Sequence, residues 1–98
     1  MIRHTVIFAL KHAQGSLQEK AFLRDAKTAL EKIPGVQKFE QLKQVSPKTK
    51  DYRFGFSMEF ADKAAYEGYN KHPKHVAFVR DRWDREVERF MEIDYEPL

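Results

Sequence analysis

A proline at position 73 constrains this chain more than any other residue. Pro73 follows Tyr66-Glu67-Gly68-Tyr69-Asn70-Lys71-His72 and precedes Lys74-His75-Val76-Ala77-Phe78. Proline lacks an N–H and pushes the residue before it out of helical backbone geometry, yet it is well suited to the first turn of a new helix. One helix must therefore end at His72 and another begin at Pro73. Tyr69 then falls in the last turn of the first helix and His75 in the first turn of the second. A phenol and an imidazole can converge across such a break, as an acid/base pair or as ties that hold the break together.

The stretch Tyr52–Phe60 is the clearest strand. Tyr52, Phe54, Phe56, Met58 and Phe60 alternate with Arg53, Gly55, Ser57 and Glu59, giving one apolar and one small or polar face. The opening segment repeats the pattern: Ile2, His4, Val6, Phe8 and Leu10 share one face, and Ile7 and Ala9 make the other fairly apolar. Between these strands, Ser16 with Glu19 three residues on forms a capping box. Phe22, Leu23, Ala26, Leu30 and Ile33 then keep helical spacing as far as Pro34-Gly35. Val36–Val45 lies between breakers and has irregular spacing, which fits a strand with a bulge.

Asp62 is a good N-cap for a helix over residues 63–71. After Pro73, Val76, Val79, Trp83 and Val87 follow helical spacing, as a core stripe or as ligand contacts. Phe90–Tyr95 closes the chain as a strand, with Met91, Ile93 and Tyr95 on one face and Phe90, Glu92 and Asp94 on the other.

The order is β-α-β-β-α-β with the second helix broken at Pro73: a single α+β, ferredoxin-like domain over residues 1–98. Helices cover one face of such a sheet. The other face, assigned Thr5, Ile7, Ala9, Gly55, Ser57 and Phe90, is too weakly charged to be left bare. Pairing with a second copy through that open face, as a dimeric α/β barrel, would cover it. Ninety-eight residues bury a modest share of their surface, which favours the same solution.

Composition narrows the function. A formal charge of +3 is spread over interleaved acids and bases, as in Arg80-Asp81-Arg82-Trp83-Asp84-Arg85-Glu86, rather than gathered in a basic stripe, so nucleic acid is not an expected partner. No cysteine is present, which removes thiol chemistry and suits a reducing cytoplasm. No apolar run approaches the length of a membrane span. His72 and His75 lie three apart, with His4 and His12 elsewhere, but no further ligand spacing completes a zinc site. Neither a metal nor a cofactor is expected.

The Arg-His strand at the N-terminus, the turn Ile33-Pro34-Gly35-Val36, Glu59-Phe60, the Tyr69-x-x-His72-Pro73-x-His75-x-x-Phe78 break and the closing Ile93-Asp94-Tyr95-Glu96 resemble, over essentially the whole chain, the stress-responsive dimeric α/β-barrel (Dabb) family. The resemblance implies the ferredoxin-like fold, a homodimeric barrel and a cytoplasmic location. Most members have no defined chemistry. Some plant members of the olivetolic acid cyclase type close polyketide chains by an aldol step. By that likeness Tyr69 and His75 are the catalytic pair and His4 lines the same pocket.

The expected cleft between sheet and helices carries His4, Tyr69 and His75, with Phe8, Phe56, Met58, His72 and Trp83 as ligand contacts. Phe54, Phe56, Met58 and Phe60 are bulky and leave little room for a long substrate. Two functions follow: a stress-associated dimer that binds a small apolar or carbonyl ligand, or a cofactor-independent lyase or cyclase using Tyr69 and His75 on a carbonyl. A cofactor-free monooxygenase is a third, with no residue that specifies it.

Overall fold

The computed structural model describes all residues, Met1–Leu98. Four antiparallel strands, β1 (Ile2–Leu10), β2 (Gln37–Lys43), β3 (Phe54–Phe60) and β4 (Val87–Tyr95), form one sheet in the order β2-β3-β1-β4. The helices are α1 (Leu17–Leu30), α2 (Lys63–Lys71) and α3 (Pro73–Phe78); a wide π turn over Val79–Trp83 and a short turn over Asp84–Glu86 lead into β4. None of the helices is long and apolar enough to cross a membrane. This is the ferredoxin-like α+β fold that the alternating patterns predict, with the helix broken at Pro73.

Local chemistry sets the boundaries. Ser16 caps α1, its hydroxyl accepting from the Glu19 N–H at 3.1 Å. The Glu19 carboxylate reaches back to the Gly15 N–H at 3.0 Å instead of to the cap residue's own N–H, which donates to Ala13. The box is thus reciprocal but displaced by one residue. Gly35 has φ +93 in the turn after α1, and a Cβ there would meet the Ala65 Cβ at 3.4 Å, so the turn also sets how closely α2 approaches. The segment between the breakers is a bulged strand, as its short length between Pro34-Gly35 and Ser46-Pro47 predicts, although the spacing by three of Val36, Phe39, Leu42 and Val45 would also suit a helix. Pairing with β3 slips between Gln37 and Glu40, and Lys38 takes the left-handed φ of 51° that absorbs the extra residue.

The core lies between sheet and helices. Phe8, Phe22, Phe56 and Phe60 are fully buried with Met58, and Phe8 meets Phe56 edge-on at 4.8 Å. An ionic strap closes one side: Arg82 binds Asp25 of α1 at 2.6 Å and also Glu86, which binds His12 at 2.7 Å. The strap fastens the π turn to α1 and to the end of β1.

Three expectations need correction. Val87 does not continue the helix. It starts β4 opposite Leu10, where the β1–β4 register slips, and it is buried there as a strand residue. Val76 is half-exposed, so the helical stripe reduces to Phe78, Val79 and Trp83.

Phe90 does not lie on the open face either. It pairs with Phe8 and so points to the helix side, edge-on to Trp83 at 5.6 Å. The open face instead receives Met91, Ile93 and Tyr95, opposite Ile7, Thr5 and Arg3, with Leu42 beyond Gly55. It is more apolar than the sequence reading allowed.

Replacing Ser16 with Ala removes the α1 cap and should cost about 1 kcal/mol, read as a lower urea midpoint with an unchanged slope. An unchanged midpoint would mean that the cap does not hold the helix start.

Candidate functional site

The break at Pro73 forms as the sequence requires. His72 is extended (φ −63°, ψ 135°) and Pro73 opens α3. The His72 imidazole accepts from the Lys74 N–H at 3.1 Å, so this histidine caps α3. It is not part of the cavity wall, which corrects its assignment as a ligand contact. Phe8 is likewise no wall residue: it is wholly buried among Phe22, Phe54, Phe56 and Trp83.

The other expected residues come together. A cavity of about 40 Å³ lies beneath the break, lined by His4, Phe56, Met58, Tyr69, His75 and Trp83, together with Val6, Leu30, Phe78, Val79 and Glu92. The rings of Tyr69 and His75 are 4.4 Å apart, and that of His4 is 6.3 Å from Tyr69.

The protonation logic can be read from the partners. His75 Nδ1 lies 3.2 Å from the Asn70 carbonyl, which can only accept, so Nδ1 carries the proton and the neutral ring keeps its lone pair on Nε2. Burial lowers the proton affinity of His75 below its ordinary value of 6.5, opposed by the Asn70 carbonyl and aided by His4. Burial pushes the Tyr69 phenol well above its ordinary range, and the nearby Glu92 charge adds to this. Tyr69 is almost wholly buried and its hydroxyl makes no hydrogen bond within the protein, but that oxygen is not sealed off: the one fully buried polar side-chain atom without a hydrogen-bond partner is Arg53 Nε.

Two residues escaped the sequence reading. His4 Nδ1 lies 2.6 Å from an Asp94 carboxylate oxygen, and the Tyr66 hydroxyl donates to the other oxygen at 2.9 Å. With Nδ1 donating to Asp94, His4 also leaves Nε2 unpaired. The antiparallel register sets Asp94 opposite His4 across β1 and β4, a contact 90 residues apart in the chain. The alternation of β4 could have found it, since Asp94 shares a face with Phe90 and Glu92. Burial, then the hydrogen bond to Asp94 and after it the Asp94 charge, push the Tyr66 phenol up, so it remains a donor. Nowhere in the fold do three metal-ligating side chains converge.

The whole chain, residues 2–97, matches the model of the stress-responsive A/B barrel domain, Dabb. The chain belongs to that family. A Dabb protein with a ferredoxin-like fold from Mesorhizobium loti is 69% identical, with a TM-score of 0.97 over 99% of this chain and 96% of that one. A dimeric ferredoxin-like protein from Bacteroides fragilis is 24% identical (TM-score 0.75; 98% and 95% covered). A hydroxynitrile lyase from Passiflora edulis is 14% identical (TM-score 0.81; 96% and 90% covered), a likeness of fold alone. A search among curated proteins gave no match.

The sign of the His75 effect on stability is fixed by its environment. Unfolding returns the imidazole to about its ordinary 6.5, so below that pH the unfolded chain binds more protons than the folded one. The contribution of neutral His75 is complete above pH 6.5 and is lost as the pH falls through it. Urea midpoints compared between pH 7.5 and 5 should therefore fall more for the parent than for His75→Gln. Parallel falls would show that the imidazole is freely protonated in the folded state.

Proposed function

We propose that this Dabb protein is a homodimeric barrel whose inner cavity binds a small carbonyl compound and moves a proton on it without a cofactor. The observation that carries the reading is Tyr69, a cavity-lining phenol whose hydroxyl has no protein partner, beside a neutral imidazole. Such a hydroxyl is free to donate to a ligand oxygen.

The chemistry follows from the partners. His75 Nε2 takes a proton from the carbon next to the carbonyl, and the electron pair of that C–H bond moves onto the carbonyl oxygen. Tyr69 O–H donates to the enolate oxygen as its charge develops, a donor aimed where charge appears only in the transition state. The proton held on His75 Nε2 returns to the product and restores the neutral ring, while His4, oriented by Asp94, offers its Nε2 as a second acceptor in the cavity. This is the acid/base half of a lyase or aldol reaction. A volume near 40 Å³ favours a small substrate over closure of a long polyketide chain, the chemistry of the cyclase-type members. That a lyase uses the same architecture in Passiflora supports the reading at the level of fold only.

Deuterium exchange into acetone in heavy water tests this directly, with methyl loss followed by NMR. The parent should catalyse exchange above buffer, and Tyr69→Phe and His75→Gln should each lower it by about 100-fold. Equal exchange in parent and variants would leave a pocket that binds without turnover.

The dimer is inferred from the open face. Met91, Ile93, Tyr95 and Leu42 are each at least 36% exposed there, around Thr5, Gly55 and Ser57. A self-complementary face-to-face pair buries them, and a dimeric relative shares the fold. Light scattering should give twice the 11.6 kDa chain mass for the parent and 11.6 kDa for Ile93→Lys. A parent mass of one chain at all concentrations would refute the dimer.

A further inference from the structure

We infer that Trp83 is the specificity-determining residue of the cavity, its indole being the partition that limits the carbonyl ligand to a small head group. The inference rests on the carbonyl reading above for the identity of the ligand, though not for the partition itself.

Trp83 is the one residue common to two spaces. On its inner side lies the 40 Å³ cavity with His4, Tyr69 and His75. On its outer side lies a surface groove of about 310 Å³ lined by Asp84, Val87, Glu88, Arg89 and Phe90, on the helix side of β4. The cavity alone has room for about three water-sized groups, enough for a carbonyl and its immediate carbons. Cavity and groove joined would take an unbranched apolar tail as well.

The sheet and α1 side of the cavity is fixed: Phe56 and Met58 sit in the sheet, Leu30 ends α1, and each is at most 4% exposed. Trp83 is held differently. It rides on a π turn in which the Asp84 N–H donates to the Val79 carbonyl five residues back. Such wide turns insert one residue into helical winding and swing a side chain round. The indole packs on Phe8 at 4.9 Å and Phe22 at 6.2 Å on one side. It also meets Phe56 at 6.4 Å and Phe90 at 5.6 Å, and of these four aromatic neighbours Phe90 alone is exposed, at 52%. The indole N–H makes no hydrogen bond within the protein. Phe90 is the exposed neighbour toward which the ring can give way, and that movement opens the cavity into the groove.

The test compares two unreactive ketones, acetone and 2-nonanone, by NMR titration of the isotope-labelled Met58 methyl group in parent and Trp83→Leu. 2-Nonanone should bind Trp83→Leu about tenfold or more tighter than the parent, with acetone titrated alongside to report binding in the inner cavity. Equal 2-nonanone affinity in the two proteins, or no binding to either, overturns the partition whatever acetone does. Acetone that fails to move Met58 in either protein overturns the carbonyl reading alone, because the 2-nonanone ratio still decides the role of Trp83. Should Trp83→Leu fail to fold, as judged by circular dichroism, Trp83→Phe carries the same comparison with a smaller expected gain, and equal affinities again overturn it.

Discussion

The register between β1 and β4 is the constraint on which the rest depends. Antiparallel pairing places His4 opposite Asp94, Val6 opposite Glu92 and Phe8 opposite Phe90. Because side chains alternate with a period of two, a one-residue slip would exchange the faces of β4. Met91, Ile93 and Tyr95 would then crowd the helices, and His4 would lose its carboxylate. A buried imidazole N–H without a partner costs about 1–3 kcal/mol. The same register leaves an apolar outer face on β4, so one pairing defines both the polar floor of the cavity and the surface offered to a second copy.

Polar groups inside the core are satisfied unequally. His4 has Asp94, and Asp94 has Tyr66. Tyr66 in turn stacks on Phe60 at 5.0 Å, so the cluster is held by packing as well as by hydrogen bonds. Tyr69, deeper than Tyr66, has the rings of His4, Phe60 and His75 packed round it and the Glu92 charge nearby, but no hydrogen-bond partner. The contrast matters because each phenol is buried enough to resist ionisation. One is a donor already committed to a carboxylate, and the other is a donor left free beside an empty volume.

Local signals were fully legible in the sequence. Pro73 ended one helix and began the next, the alternation of Phe54–Phe60 marked a strand, and the short stretch between breakers after Gly35 marked a bulged strand. Tyr69, His75 and His4 could be brought to one cavity because two are tied to the break and the third to a strand face. What was missed is non-local or depends on a slipped register. Asp94 meets His4 through strand pairing across nearly the whole chain. Phe90 and Val87 are three residues apart yet both face inward, because the bulge near Glu88 shifts the alternation. Helical spacing carried Val87 into the wrong element, since spacing alone cannot register where a wide turn ends.

The two irregularities between α2 and β4 have a structural reason that does not exhaust them. An unbroken helix from Lys63 to Glu86 would be about 36 Å long at 1.5 Å per residue. That equals the longest dimension of the molecule, 36 Å, and would overrun a seven-residue strand such as β3. The chain must therefore bend to stay over its sheet, and Pro73 and the π turn provide the bends. A bend, however, requires a proline or an extra residue, not a tyrosine and a histidine facing each other, nor an indole over a void. Packing demands would be met as well by Phe at position 69, which keeps the ring and removes the unpaired hydroxyl. The presence of that hydroxyl beside two oriented imidazoles is the feature that folding does not explain, and it is the one on which the proposed ligand chemistry rests.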